Sequence, residues 1–322
     1  LLDLKAKYST YLSICCLLSL LSGKKLCMAQ DINGPRLLKL NYQILSTPTL
    51  AVDENGNAVP FREDEPARVL NFQLRFPLLL AKETKILGEI SYRNELLSAF
   101  YHPDNRDANI LGSSEADWGD GMPLQQSGFG ILLLHDLSRL YKLKAQFNFS
   151  SSSTQFFSNS PEAHRYKFAA VIERERRNKT WGIGININYH DRLAIIPLLT
   201  YKEKLNRNWT LDMLLPVKAN LIRSLPNNDH IILGFRGSAG SYFLDSEQLI
   251  PDALYQRLTL HGYVGYERML SKYIGFGLDA GVNIPLRNRI RSWEDRTVVL
   301  HNFHDRVSPH IGARLFFAIC SD

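Results

Sequence analysis

The sequence predicts an all-β protein: an antiparallel, up-and-down transmembrane β-barrel of about 12–14 strands. Three observations predict it: period-two alternation down the chain, segments too long for ordinary soluble strands, and a long/short rhythm in the connections between them, broken by two short outer connections near residues 190 and 217. Strict apolar/polar alternation is the signature of a strand with one face in each environment. Residues 141–150 alternate apolar and polar at every step. Trp181, Ile183, Ile185, Ile187 and Tyr189 share one face, opposite Gly182, Gly184, Asn186, Asn188 and His190. Ile274, Phe276, Leu278, Ala280, Val282 and Ile284 stand opposite Gly275, Gly277, Asp279, Gly281 and Asn283. Leu258, Leu260, Val264 and Tyr266 stand opposite Thr259, His261, Tyr263 and Glu267.

Length points to a membrane. A soluble strand averages about five or six residues, whereas a tilted membrane strand needs roughly nine to eleven. Candidate strands run over 36–47, 66–79, 83–95, 127–137, 139–150, 165–177, 179–189, 191–203, 207–216, 218–225, 229–243, 257–269, 272–284 and 307–319. Bacterial barrels keep short turns on the periplasmic side and long loops outside. The long connections, 48–65, 96–126, 151–164, 244–256 and 285–306, all follow odd-numbered strands. The pieces 207–216 and 218–225 also read as one bent strand around Pro216, which leaves twelve as the alternative count. Tyr, Trp and Phe near strand ends, among them Trp181, Tyr189, Tyr201, Trp209, Tyr242, Tyr266 and Tyr273, suit interfacial girdles, although aromatics favour strands anyway.

Residues 1–30 read as a secretory signal and 31–322 as one barrel domain. Lys5 and Lys7 precede a short apolar stretch from Tyr11 to Ser22, with Met28-Ala29-Gln30 near the expected cut. The apolar stretch is too short to span a bilayer as a helix. Cys15, Cys16 and Cys27 fall inside this segment, which leaves Cys320 alone and no internal disulfide. The whole chain carries +6. Setting aside four lysines and Asp3 from residues 1–30 leaves +3, too little to argue for nucleic acid as a partner.

The stretch Ile196-Pro197-Leu198-Leu199-Thr200-Tyr201 leads to Trp209-Thr210-Leu211 and Leu215-Pro216. A glycine-punctuated strand at 231–240, Tyr242-Phe243-Leu244 and Ser308-Pro309-His310 follow, behind the Met28-Ala29-Gln30-Asp31 signal ending. In these features residues 32–319 resemble a family of uncharacterised Bacteroidetes outer-membrane β-barrels, the domain of unknown function numbered 6268. The resemblance implies an integral outer-membrane location, reached by export. It carries no catalytic residues and implies no activity. Outer-membrane lipid, lipopolysaccharide and the barrel-assembly machinery are the partners such a barrel meets. Phe317 is placed to serve as the terminal aromatic that this machinery reads.

Candidate sites each have an ordinary reading beside a functional one. Arg287, Arg289, Arg291 and Arg296, with Trp293, suit phosphate or carboxylate contacts on an outer loop; Glu294, Asp295 and Asp305 among them also fit a salt-bridged loop. Asp104, Asp107, Glu115, Asp117 and Asp120 lie in a Gly-containing stretch that does not match a calcium loop and reads as solvated. His301 and His304 fall short of a metal set, so neither metal nor cofactor is expected. Gly182, Gly184, Gly275, Gly277 and Gly281 at lumen positions leave room inside or ease curvature. A passive pore for small solutes is the favoured function, with a non-conducting surface barrel as the alternative. A lipid hydrolase would need a base within reach of a hydroxyl. His135, His190 and His261 lie in or beside strands, but the sequence pairs none of them with a serine. His261 is expected to face the lumen.

Overall fold

The computed structural model describes residues 36–45, 67–97, 122–190, 192–226, 229–244, 253–271, 273–293, 298–302 and 307–317, with short pieces at 49–52, 58–59 and 304–305. Fourteen long antiparallel strands close into one barrel. They are β1 (Leu38–Leu45), β2 (Ala67–Leu80), β3 (Thr84–Leu97), β4 (Met122–Asp136), β5 (Tyr141–Ser153), β6 (His164–Arg176) and β7 (Lys179–Tyr189). The other seven are β8 (Leu193–Lys204), β9 (Trp209–Leu215), β10 (Lys218–Ser224), β11 (His230–Leu244), β12 (Ala253–Met269), β13 (Ile274–Ser292) and β14 (Ser308–Phe317). Each pairs with its neighbours in chain order, and β1 against β14, from Leu38↔Phe317 to Leu45↔His310, completes the ring. The count is fourteen, and β9 and β10 are separate strands joined at Pro216-Val217.

The side-chain distribution is inverted relative to a soluble domain. Ile183, Ile195, Val264 and Leu278 are all more than half exposed on the outer face. Glu89, Glu173, Asp212, Glu267 and Asp279 are buried inside. This arrangement is stable only when hydrocarbon, not water, meets the outer face. No helix among the described residues is long and apolar enough to cross a membrane; the crossing is made by strands.

Register sets aromatics in rows. Tyr141↔Arg174, Arg174↔Trp181 and Trp181↔Tyr201 form one row at the short-turn end. Phe129↔Phe149, Phe149↔Tyr166 and Tyr166↔Tyr189 form another towards the long connections. Tyr166 and Arg174 are eight residues apart on β6, about 27 Å along the strand at ~3.4 Å per residue, or about 20 Å of height at the ~40° tilt of such barrels. Tyr242 does not belong to a girdle. It is 1% exposed and lies inside the barrel.

Two predicted strand limits need correction. β4 begins at Met122, five residues before the expected 127, and β13 runs to Ser292, not to 284. The segment 285–292 is therefore strand and not outer loop. It carries a bulge: Thr259 pairs with Pro285, but Leu258 pairs with Arg287, leaving Leu286 as the extra residue. One extra residue exchanges the two faces of a strand beyond it. Proline is tolerated there because a bulge relaxes the ladder. The predicted signal (1–30), the acidic residues Asp104, Asp107, Glu115, Asp117 and Asp120, and Cys320 lie outside the described residues.

Ile185 sits mid-strand on the outer face of β7. Ile185→Arg should destabilise the barrel by about 2–4 kcal/mol in lipid. Urea unfolding in liposomes, followed by heat-modifiability, checks this; an unchanged midpoint would place that face in water.

Candidate functional site in the barrel lumen

The lumen holds two ion-pair systems. The first joins β11 to β14 at mid-barrel. Arg314 reaches Glu267 at 3.2 Å and Asp279 at 3.0 Å, Arg36 reaches Glu267 at 2.8 Å, and Arg236 stands 3.9 Å from Asp279. His310 Nε2 lies 3.4 Å from Asp279, and its ring meets His261 edge-on. His261 faces inward, as the alternation predicts, and bonds to Asn283 through Nδ1. The Tyr263 hydroxyl donates to Asn220 at 2.9 Å. These ion pairs offset part of the cost of burying the charges, although Asp279, Arg314 and His310 each keep buried polar atoms without a hydrogen-bond partner among the described residues.

The lumen glycines serve this system. A Cβ on Gly277 would lie 2.8 Å from Arg314 Nε, and one on Gly275 would lie 2.4 Å from the Phe316 ring. Those positions therefore leave no vacant channel, because Arg314 and Phe316 occupy the space. Gly281 is pressed against the Gly262 backbone, with its Cβ position 2.0 Å from a carbonyl.

The second system closes the end bearing the long connections. There the end of β11 folds across the lumen, and Phe243 makes a parallel bridge to Ser153 of β5. Tyr242, Phe243, Leu244, Leu254 and Tyr255 are all buried at this crossing. Ser151, Ser152 and Ser153 are buried with them, and small side chains let the two backbones approach. Trp293 packs edge-on to Phe243 at 5.6 Å and against His190 at 5.9 Å.

Three guanidiniums converge beneath the crossing. Arg93 donates to Glu95 at 2.9 Å, and Arg257 reaches the same carboxylate from β12, five strands away around the ring. Arg165 bonds to the Ser241 carbonyl at 3.4 Å and lies close enough to Arg93 for mutual repulsion. The Tyr242 hydroxyl sits among Arg93, Arg257 and Arg165, buried and without a hydrogen-bond partner. Two of these cations, Arg93 and Arg257, pair with Glu95, and Arg165 holds a backbone carbonyl, beside a phenol with no partner among the described residues. That donor set matches a carboxylate or phosphate.

His190, in the turn between β7 and β8, fastens the crossing. Its Nε2 lies 2.9 Å from the Glu162 carbonyl, so this nitrogen is the donor. Nδ1 must then accept from the Ser241 hydroxyl at 3.0 Å. Burial, reinforced by Arg165, lowers His190 to about 3. The structure thus pairs a specific serine with a specific histidine, which the sequence did not. Residues 241 and 190 are far apart in the chain, and only the infolding of β11 joins them. His135, by contrast, contacts Thr84 through Nδ1 at 2.9 Å.

The predicted arginine set is not gathered into one site. Arg287 is exposed on the β13 extension, Arg289 donates to Gln256 at 3.2 Å through Nη2, and Arg291 is 1% exposed opposite Leu254. Arg296 lies outside the described residues. The Leu286 bulge puts Arg287 and Arg289 on the outer face; a run of alternating Arg without a visible bulge gives no such signal. The arginines that do converge, Arg93, Arg165 and Arg257, belong to three distant strands and read in sequence as ordinary polar positions. Among the described residues no three His, Cys, Asp or Glu side chains form a metal cluster.

No family model matches the chain. A stretch of 153 residues, 44% of the chain, is 24% identical to Coprinoferrin synthetase of Coprinopsis cinerea and spans 6% of that protein. Among solved structures, an outer membrane channel from Pseudomonas putida F1 is 8% identical, with 92% of this chain and 98% of that one covered at a TM-score of 0.42. A deltaS2 mutant of the monoaromatic hydrocarbon channel TodX is 10% identical, with 88% and 90% covered at 0.43. LpxR from Salmonella typhimurium is 7% identical, with 87% and 100% covered at 0.32. At scores this low, the architecture rests on the chain's own strand register.

Glu95→Gln should cost about 3–5 kcal/mol, because it removes the buried carboxylate that both Arg93 and Arg257 reach. Glu175→Gln, which breaks a surface pair to Lys142, should cost no more than about 1 kcal/mol. Equal unfolding midpoints for the two variants would contradict the buried assignment.

A second expectation concerns pH. His190 is held below its unfolded value of about 6.5, so the unfolded chain gains this proton first. Stability from this site is therefore complete above about pH 6.5 and falls as pH drops towards 3. Hydrogen exchange at Tyr242–Leu244 should accelerate across that window, and His190→Gln should flatten the dependence.

Proposed function

We propose that the protein is an integral outer-membrane barrel whose lumen takes up small anionic solutes. The observation that carries this reading is the convergence of Arg93, Arg165 and Arg257 around the buried Tyr242 hydroxyl, with Glu95 paired to Arg93 and Arg257 and Arg165 held by the Ser241 carbonyl. A ring of fixed cations in a low-dielectric lumen favours anions over cations. Export behind residues 1–30, insertion by the barrel-assembly machinery, and contact with lipid and lipopolysaccharide belong to the same reading. So does kinship with the uncharacterised Bacteroidetes barrels, supported by the Ile196–Tyr201, Trp209–Leu211 and Tyr242–Leu244 segments.

A non-conducting surface barrel is the second reading, favoured by the apolar crossing that closes the long-connection end. A hydrolase reading has the Ser241–His190 contact behind it. A general base is most effective when its pKa lies near the working pH, and His190 at about 3 is far from that.

Planar-bilayer recording in a KCl gradient tests the main reading. The expected result is a current whose reversal potential favours chloride, and whose selectivity falls several-fold in Arg165→Ala. A cation-selective current, or a silent barrel in the presence of inserted folded protein, would refute it. Membrane fractionation with a heat-modifiability gel tests the location.

A further inference from the structure

The barrel wall is not of even height. β9 and β10 have seven residues each, between β8 with 12 and β11 with 15. β9 pairs with β8 only over Leu199–Lys204, so the edge of β8 from Leu193 to Leu198 has no strand on that side. β10 pairs with β11 only over His230–Arg236. The Gly237 N–H reaches the Val217 carbonyl at 2.7 Å. Above it, the β11 edge has no partner on the β10 side. At its base two strand widths, about 10 Å, are missing from the wall, and the bare edge of β8 runs for about 20 Å along the strand.

The gap has a floor and a lintel. The β9–β10 turn at Pro216-Val217 is the floor, and the His190–Ser241 hydrogen bond spans the top. Ala194 faces inward on this edge and is exposed. Pro197 lies in the same bare edge, where a missing N–H leaves no orphan acceptor across a ladder. Bare strand edges are not tolerated against hydrocarbon unless water or a ligand reaches them. Ile196 and Leu214 beside the gap are apolar and partly exposed, Leu198 between them is buried, and Arg165 and the Tyr242 hydroxyl belong to the lumen site. The axial way out is narrowed by the buried crossing of β11 over β5.

We propose that this gap is a lateral portal, through which a small amphipathic anion passes between the membrane and the lumen. Its apolar body slides past Ile196 and Leu214, and its charged head reaches the guanidiniums. The proposal rests on the anion-accepting lumen argued above and assigns that lumen a route and a solute class.

The test uses the full barrel in phospholipid vesicles, with a fluorophore on Lys167→Cys. Lys167 faces the lumen and is exposed there. Two quenchers are compared: a doxyl-labelled dodecanoate, which partitions into the bilayer, and iodide, which arrives through water. The portal is filled from both sides by Ala194→Trp with Gly237→Trp. A Cβ on Gly237 meets nothing nearer than 3.7 Å, so the substitution enters space and not packing. Gly237→Phe alone serves if the pair fails to fold by heat-modifiability. Saturable quenching by the dodecanoate, reduced at least tenfold in the filled variants while iodide quenching persists, is the expected result. Dodecanoate quenching that the filled variants leave unchanged overturns the portal. Quenching by iodide alone also overturns it and leaves the anion-accepting lumen standing. Quenching by neither overturns both.

Discussion

Backbone amides and carbonyls in hydrocarbon have no water to turn to, so each must find its partner within the protein. For strands, that requirement is met only by a sheet that returns to its own beginning. The β1–β14 seam, from Leu38↔Phe317 to Leu45↔His310, is where this chain meets it. Much else follows from that seam. An even strand number keeps both ends of the ring antiparallel. Closure creates an inside, and the inside collects the polar face of every strand. The Arg314, Glu267 and Asp279 network lies beside the seam and joins the closing strand to β12 and β13.

The same requirement explains why the two ends of the barrel differ. At the short-turn end, neighbouring strands are joined directly and the wall is even. At the other end the strands are of unequal length, and the spare ends must be satisfied differently. β11 bends inward and uses Ser153 of β5; β12 and β13 rise together beyond the membrane, their register broken at Leu286. Buried serines on one side and Tyr242, Phe243 and Leu244 on the other make a small dry core where an open mouth would otherwise stand. Charge is then trapped beneath it, because Arg93 and Arg257 have been drawn to Glu95 from opposite directions.

The barrel itself was legible in the sequence because alternation and connection length are local properties. Trp181 to Tyr189 and Ile274 to Ile284 declare their two faces without reference to anything distant. A count of twelve to fourteen strands and the inward-facing His261 follow from that alone, and the separate pairing of β9 with β10 fixes fourteen. The site was not legible, because its parts meet only through departures from the pattern. Arg93, Arg165 and Arg257 lie on β3, β6 and β12, and no spacing rule connects them. Arg287 and Arg289 look like a loop cluster until Leu286 is seen as an insertion within a ladder. Gly275 and Gly277 suggest vacancy until Phe316 and Arg314 are found filling it. Tyr242 reads as a girdle aromatic from its neighbours, although the strand has already left the wall by that residue.

The Phe243–Ser153 bridge has a mechanical side. β5 and β11 are six strands apart in a ring of fourteen, so the bridge runs nearly along a diameter. A hoop tied across its middle resists being squashed into an ellipse, whereas an untied hoop flexes freely. Lateral pressure from the surrounding bilayer would thus be borne at one end by a brace and at the other by hydrogen-bonded wall alone. The tube is stiff where it faces outward and compliant towards the short turns, so shape fluctuations of the cross-section are concentrated in the half that carries no strut.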